Sequence, residues 1–312
     1  MKRYFFLILL MVVAALGGHA QSRNIANFPQ FKQYLNPALT GHEGTSAQGF
    51  FRNQMTSFNN APQTFFLSGE ARLSDVSNLQ TNRIAHNAGL AAIYDTFGTS
   101  TDVGLNLSYA AETEIIPTLK LRAGLAVTYN NLSTDLGGLN PLDENDPAYQ
   151  ALKDGSTFNK YGLNAGVAVV GEDFYAGYAA HDAVKASSGN TNLYEDVYVL
   201  QHSVQAGYRY AVSETFGVIG NALYRYDSTT KGVAEGQVKA VLLDRFWVGG
   251  GYRQDVGAVV SVGARFGQFK FGYSREINDK KVNGQRVGAN EIIVSYNLTP
   301  VFEKGKKALT LW

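Results

Sequence analysis

The chain has 312 residues, with 27 basic and 26 acidic side chains and no cysteine. The balanced charge gives no support for nucleic-acid binding, and the missing cysteines exclude both a disulfide framework and a thiolate metal site. Glycine at 33 residues, aromatics at 12% and a mean hydropathy of only −0.14 fit an exported, Gly- and Tyr-rich β-protein, either an outer-membrane barrel or a secreted sandwich or propeller.

Residues 1–20 read as a signal peptide. Lys2 and Arg3 form a basic start, Tyr4 to Leu16 form an apolar run, and Gly18-His19-Ala20 places small residues before the cut. The run is shorter than the roughly 20 residues a spanning helix needs. No Cys follows the cut, which excludes a lipoprotein signal, and the mature chain is expected to begin at Gln21.

Residues 21–44 have no steady period. The stretch FKQYLNPALTG carries aromatics around a central proline. Phe31, Tyr34 and Leu35 need shelter from water, and the nearest is the mouth of whatever follows. They are expected to enter the periplasmic end of a lumen as a plug-like segment, with Asn36-Pro37 turning the chain toward the first strand.

From residue 45 the chain alternates. In 201–210, Val204, Ala206, Tyr208 and Tyr210 oppose Ser203, Gln205, Gly207 and Arg209. In 119–130, Leu121, Ala123, Leu125, Val127 and Tyr129 oppose Lys120, Arg122, Gly124 and Thr128, with Ala126 ambiguous. Such period-2 runs are strands. Alternation alone suits a sandwich or a barrel, but runs of about 9 to 14 residues exceed the soluble mode of about 5 or 6 and match a spanning strand. The expected fold is an all-β, antiparallel, up-and-down transmembrane β-barrel over 45–298. Fourteen strands fall near 45–58, 62–73, 84–97, 100–112, 117–131, 157–170, 172–180, 198–211, 214–227, 231–243, 245–255, 257–266, 268–276 and 288–298.

Parity supports that number. The long connections 132–156, 181–197 and 277–287 all follow odd strands and therefore share one rim, the extracellular one if barrel turns are short on the periplasmic side. Asp143, Asp146, Tyr149 and Tyr194 lie in these connections. The basic tail 299–312, with Lys304, Lys306 and Lys307, leaves on the periplasmic side.

Chemistry is thinly represented. His181-Asp182 stands at an expected loop start near Ser187 and Ser188, but neither serine lies in a Gly-x-Ser-x-Gly elbow. The acidic stretch LDENDPAYQ lacks the alternation and distal Glu of a calcium loop, and Gly249-Gly250-Gly251 sits inside a strand without a following helix, so it cradles no phosphate. No catalytic, metal or cofactor site is assigned. The inward face is more informative. Arg72, Arg122, Arg209, Arg225, Arg253, Lys270 and Glu291, with Glu70, Lys120, Glu235, Lys239 and Arg265, fall on it. They either pair in ladders that hold register or contact a plug or ligand.

The motifs FPQFKQYLNPALTG and FFRNQMTSFNNAPQTFFLSGEARL resemble the opening of the PorP/SprF family of the type IX secretion system. Phe31, Gln33, Tyr34, Asn36, Pro37, Ala38 and Gly41 fit its first block, and Arg52, Gln54, Phe58, Ala61, Pro62 and Thr64 its second, with Met55 where the family usually has Trp. DPAYQ, DRFWVGGGYR, FKFGYSRE and NEIIVSYNL extend the likeness to residue 298. The resemblance implies a non-enzymatic outer-membrane barrel, embedded in outer-membrane lipid. Such a barrel is needed for export or surface attachment of a secreted cargo with a type-B C-terminal domain, including gliding adhesins, and is linked to periplasmic secretion and gliding machinery. The alternative is a passive outer-membrane transporter for small hydrophobic compounds through a fourteen-stranded barrel.

Overall fold

Fourteen strands close into one antiparallel barrel in the computed structural model, which describes residues 25–54, 61–76, 84–136, 150, 156–189, 199–228, 232–282 and 285–298. They are β1 (Ser46–Gln54), β2 (Gln63–Arg72), β3 (Ile84–Phe97), β4 (Ser100–Ile116), β5 (Leu119–Thr134), β6 (Ser156–Gly171) and β7 (Phe174–Gly189). The second half comprises β8 (Gln201–Ala211), β9 (Phe216–Asp227), β10 (Val233–Leu242), β11 (Phe246–Arg253), β12 (Gly257–Phe266), β13 (Phe269–Val282) and β14 (Gln285–Asn297). Each strand pairs with its sequence neighbours, and β1 pairs with β14 from Ser46↔Asn297 to Gln54↔Ala289 to complete the ring. Closure leaves no sheet edge, as a bilayer requires of any β-structure that crosses it.

The outer surface explains the alternation. Leu67, Leu107, Val127, Val184 and Val248 remain 57–65% exposed, a loss in water but a gain against hydrocarbon. Aromatics border this apolar band: Phe174, Tyr208, Tyr210, Phe216, Phe246, Phe266 and Phe269 toward one rim, and Phe65, Tyr94, Tyr161, Tyr226 and Tyr252 toward the other. These are the two interfacial girdles of a membrane barrel.

The turns after β4, β6, β8, β10 and β12 are tight. The β10–β11 turn uses Leu243 and Asp244 in consecutive left-handed conformations (φ 56° and 50°), the geometry that continues the right-handed strand twist. The longer β2–β3 connection, over 73–83, opens with a helical turn (Leu73–Val76). The wide connections, over 135–155 and 190–200, follow β5 and β7 and share the opposite rim. The expected loop over 277–287 is corrected: β13 and β14 run on as a hairpin to Val282 and from Gln285, absorbing an irregularity between Ile277 and Lys281. Likewise β7 extends nine residues past its expected end, to Gly189.

That extension passes through a bulge. Leu163 pairs with Val184, yet Ala165 pairs with Ala180, so β7 holds extra residues at His181–Ala183. Asp182 takes φ 58° there, and because two residues are added the ladder resumes above it with the same facing.

Residues 25–44 occupy the space inside the ring as short turns, Phe28–Gln30, Lys32–Leu35 and Pro37–Leu39. Two apolar clusters form around them. Ile25 and Phe31 join Phe50, Phe66, Ala91, Ile93 and Ile293, while Ala38 and Leu39 join Ala168, Val170, Tyr175, Ile219, Val241 and Trp247. The buried core of this protein is therefore the lumen.

Candidate functional site

The segment crosses the lumen lengthwise. At its start, Glu291 of β14 accepts from the Ala26 amide at 2.6 Å and the Asn27 amide at 3.1 Å. Arg253 and Gln237 donate to the carbonyls of Ile25 and Ala26, and Lys239 donates to Asn27 Oδ1 at 3.0 Å. Arg253 is the last residue of β11 and Gln237 the fifth of β10, so this end lies in the half of the lumen nearer the wide connections. At its finish, the Gly41 amide donates to Glu70 near the foot of β2, and Glu43 reaches Lys270, the second residue of β13, at 3.7 Å.

Phe31 lies midway. Its ring sits 4.8 Å from Phe50 and 4.7 Å from Phe66, edge-on to the latter, and Tyr34 stands 5.8 Å from Phe66. Phe50 is the fifth residue of β1, so Phe31 sits well inside the barrel rather than at its periplasmic mouth. Leu35 is half-buried, and its carbonyl accepts from Ser203 Oγ at 3.0 Å and from His181 Nε2 at 2.9 Å.

Asn36 is fully buried and is read on both sides. Its Oδ1 accepts from the Ala38 amide, capping the turn that Pro37 begins, and its Nδ2 donates to the carbonyls of Val167 and Tyr178 at 3.3 Å. Pro37 suits the first position of such a turn because its fixed φ matches and its missing N–H is not needed. The approach is close enough to require glycine: a Cβ at Gly166 would overlap Asn36 Oδ1, and one at Gly124 would overlap the Pro37–Ala38 peptide.

Lumen charges pair almost throughout. Arg225 binds Glu235 at 2.8 Å, Glu235 binds Arg253 at 2.9 Å, Arg253 binds Glu276 at 3.1 Å, Glu276 binds Arg52 at 2.9 Å and Arg52 binds Glu291 at 2.6 Å. This ribbon of three arginines and three glutamates spans β9 to β1 and ends on the Ala26 and Asn27 amides. Being charge-neutral and hydrogen-bonded, it is the form in which buried ions survive a low dielectric. Arg122 sits in a second group, pairing with Glu112 and donating to the Ala38 and Thr40 carbonyls, while Lys120 reaches Glu112 at 2.7 Å. Arg209 pairs with Asp244 across the short-turn rim. Arg72 is half-buried at the foot of β2 and forms no ion pair among the described residues.

Arg52, Glu276 and Glu112 belong to this lining, Lys32 and Glu43 to the segment, and none was among the expected site residues. Parity with Lys270 and Ser274 marks Glu276 as inward. Arg52 was hidden because inward Phe50 spoils the alternation of β1.

His181 and Asp182 are in the β7 bulge, not at a loop start. Asp182 pairs with Lys160, and its amide takes Asn164 Oδ1 at 2.8 Å. Ser187 and Ser188 are exposed further up β7, away from the imidazole. Asp143, Asp146, Tyr149 and Tyr194 lie outside the described residues, as do residues 1–24 and 299–312.

Two titratable groups of the segment are strongly shifted. Burial, reinforced by Lys32 and Arg122, holds His42 down to about 3. Burial alone would raise Glu43, but Lys32 and Lys270 outweigh it and hold Glu43 at about 2. Lys32 pairs with Glu43 and stands 5.2 Å over the Tyr175 ring.

In fold, the chain is similar to the Ralstonia pickettii toluene transporter TbuX, at 12% identity over 85% of this chain and 92% of that one, with a TM-score of 0.51. It is also similar to the TodX deltaS2S3 mutant, a monoaromatic hydrocarbon channel, at 10% identity over 91% and 97% with a TM-score of 0.51. Identities this low speak of the barrel alone. Among curated proteins no sequence matches. The pattern of the type IX secretion system membrane protein PorP/SprF matches residues 18–296, so the chain belongs to the PorP/SprF family of type IX secretion membrane proteins, with a barrel of the outer-membrane kind.

Proposed function

We propose that this barrel is the outer-membrane partner of one secreted protein, exported by the type IX system and bearing a type-B C-terminal domain. The family match over residues 18–296 carries the reading. The wide connections after β5 and β7, with Asp143, Asp146, Tyr149 and Tyr194, face outward and hold the cargo at the surface. Residues 25–44 act as a plug, a role supported by their burial among lumen side chains. The tail 299–312 lies on the periplasmic side and docks the secretion or gliding machinery. No step of covalent chemistry is involved.

Deleting the gene in its native host tests this. One secreted protein should disappear from the cell surface while bulk type IX export continues. The toluene and monoaromatic channels that share the fold suggest passive uptake of small hydrocarbons instead. That reading predicts a growth defect on such compounds with secretion intact.

A further inference from the structure

The lumen holds its occupant by the main chain. Arg253 donates to the Ile25 carbonyl, Gln237 to the Ala26 carbonyl, Gln48 to the Gln30 carbonyl, and Arg122 to the Ala38 and Thr40 carbonyls. Glu291 accepts from the amides of Ala26 and Asn27. These partners stand on β11, β10, β1, β5 and β14, so they ring the path rather than lie along one wall. Arg122 and Glu291 are fully buried and Arg253 is 1% exposed. Charged groups so placed gain most from hydrogen bonds to peptide dipoles, because no water competes.

Side chains add to this at separate positions: Asn27, Asn36, Thr40 and Glu43 bond the lining, while Ile25, Phe31, Tyr34 and Leu39 pack in its apolar clusters. Backbone amides and carbonyls are common to every polypeptide, so this lining recognises a chain by its path and, where side chains enter, by its sequence. A small apolar compound offers these charged donors and acceptors nothing.

We infer that the lumen is a polypeptide-binding site reading main chain along a fixed path, with residues 25–44 as its resident ligand. A polypeptide segment supplied in trans takes the same path once the resident is cut free. This stands whether or not the outer connections hold cargo.

The test uses the full chain with a protease site inserted between Gly44 and Thr45. The barrel is folded in detergent, cleaved, and emptied with mild urea while its SDS resistance is followed. A fluorescent peptide of residues 25–44 should then bind saturably. Glu291→Gln and Arg122→Gln should each weaken binding by about tenfold or more, the effect of losing charge-assisted bonds. Altering the side chains of Gln30 and Leu35, which bond the lining through their carbonyls, should leave binding within about threefold, short of the loss of one ordinary hydrogen bond. If the emptied barrel does not stay folded, the cleaved protein is refolded with the labelled peptide, and label should appear in the SDS-resistant barrel. A folded barrel that takes up no peptide, or binding indifferent to both lumen substitutions, overturns the inference. So does displacement of the resident segment by toluene.

Discussion

Glu291 is the residue on which most of the lumen converges, since it bonds Arg52 and two amides of the N-terminal segment while fully buried. Arg52→Ala would leave Glu291 and Glu276 without that cation in a low dielectric. The expected loss is about 3–5 kcal/mol, read as a lower urea midpoint for conversion to the SDS-sensitive form. Gly166→Ala should disturb the segment more than the barrel, because the new Cβ meets Asn36. Faster proteolysis within residues 25–44, with SDS resistance retained, is the expected signature.

His42 gives the residue scale a pH dependence. Its folded value of about 3 lies below the ordinary 6.5, so the unfolded chain takes up the proton first. Stability is full above pH 6.5 and falls as pH drops toward 3. Glu43, held at about 2 against an ordinary 4.5, contributes fully above pH 4.5 and loses its contribution only between there and 2. The interval between pH 6.5 and 4.5 therefore belongs to His42, among these two groups. His42→Gln should flatten the urea midpoint there; an unchanged slope would remove His42 as the cause.

At the scale of elements, the strands were legible wherever the lumen side is polar. β5 and β8 alternate cleanly because Arg122, Thr128, Gln205 and Arg209 face in while Leu125, Val127, Val204 and Tyr208 face lipid. β1 read poorly for the opposite reason. Phe50 faces inward to meet Phe31, and outward Gly49 and Asn53 supply little contrast. The bulge in β7 was invisible because only pairing with β6 reveals it. Mistaking His181-Asp182 for a loop followed from that, as did ending β7 early. The run from 277 to 287 is mostly polar in sequence and carries no period, so its hairpin depends on pairing rather than on pattern. At Asp182 the left-handed conformation makes a direct prediction. Asp182→Val should destabilise by about 1–3 kcal/mol through backbone strain, and further by removing the Asp182–Lys160 ion pair. Asp182→Asn, which tolerates that conformation, should recover the strain part of the loss.

For the whole molecule, the burial pattern sets it apart from an open channel. Its lipid face is apolar, its inner face is charged and paired, and its own chain fills the path between Ile25 and Glu43. Aromatic residues before the first strand pointed to a lumen occupant, but not to its direction. Ile25 lies in the half nearer the wide connections, and only Arg253 and Glu291 reveal it. On the proposed function the barrel is a holder, with its lumen occupied by residues 25–44 and the cargo at its outer rim. Replacing residues 135–155 by a tight turn should leave SDS resistance unchanged while releasing the cargo into the medium. The central claim is tested most directly by purifying the tagged barrel from native outer membranes under mild detergent and identifying what accompanies it. The account predicts one large secreted protein with a type-B C-terminal domain, in near-constant proportion to the barrel. A barrel that purifies alone from cells known to secrete such a protein would contradict it.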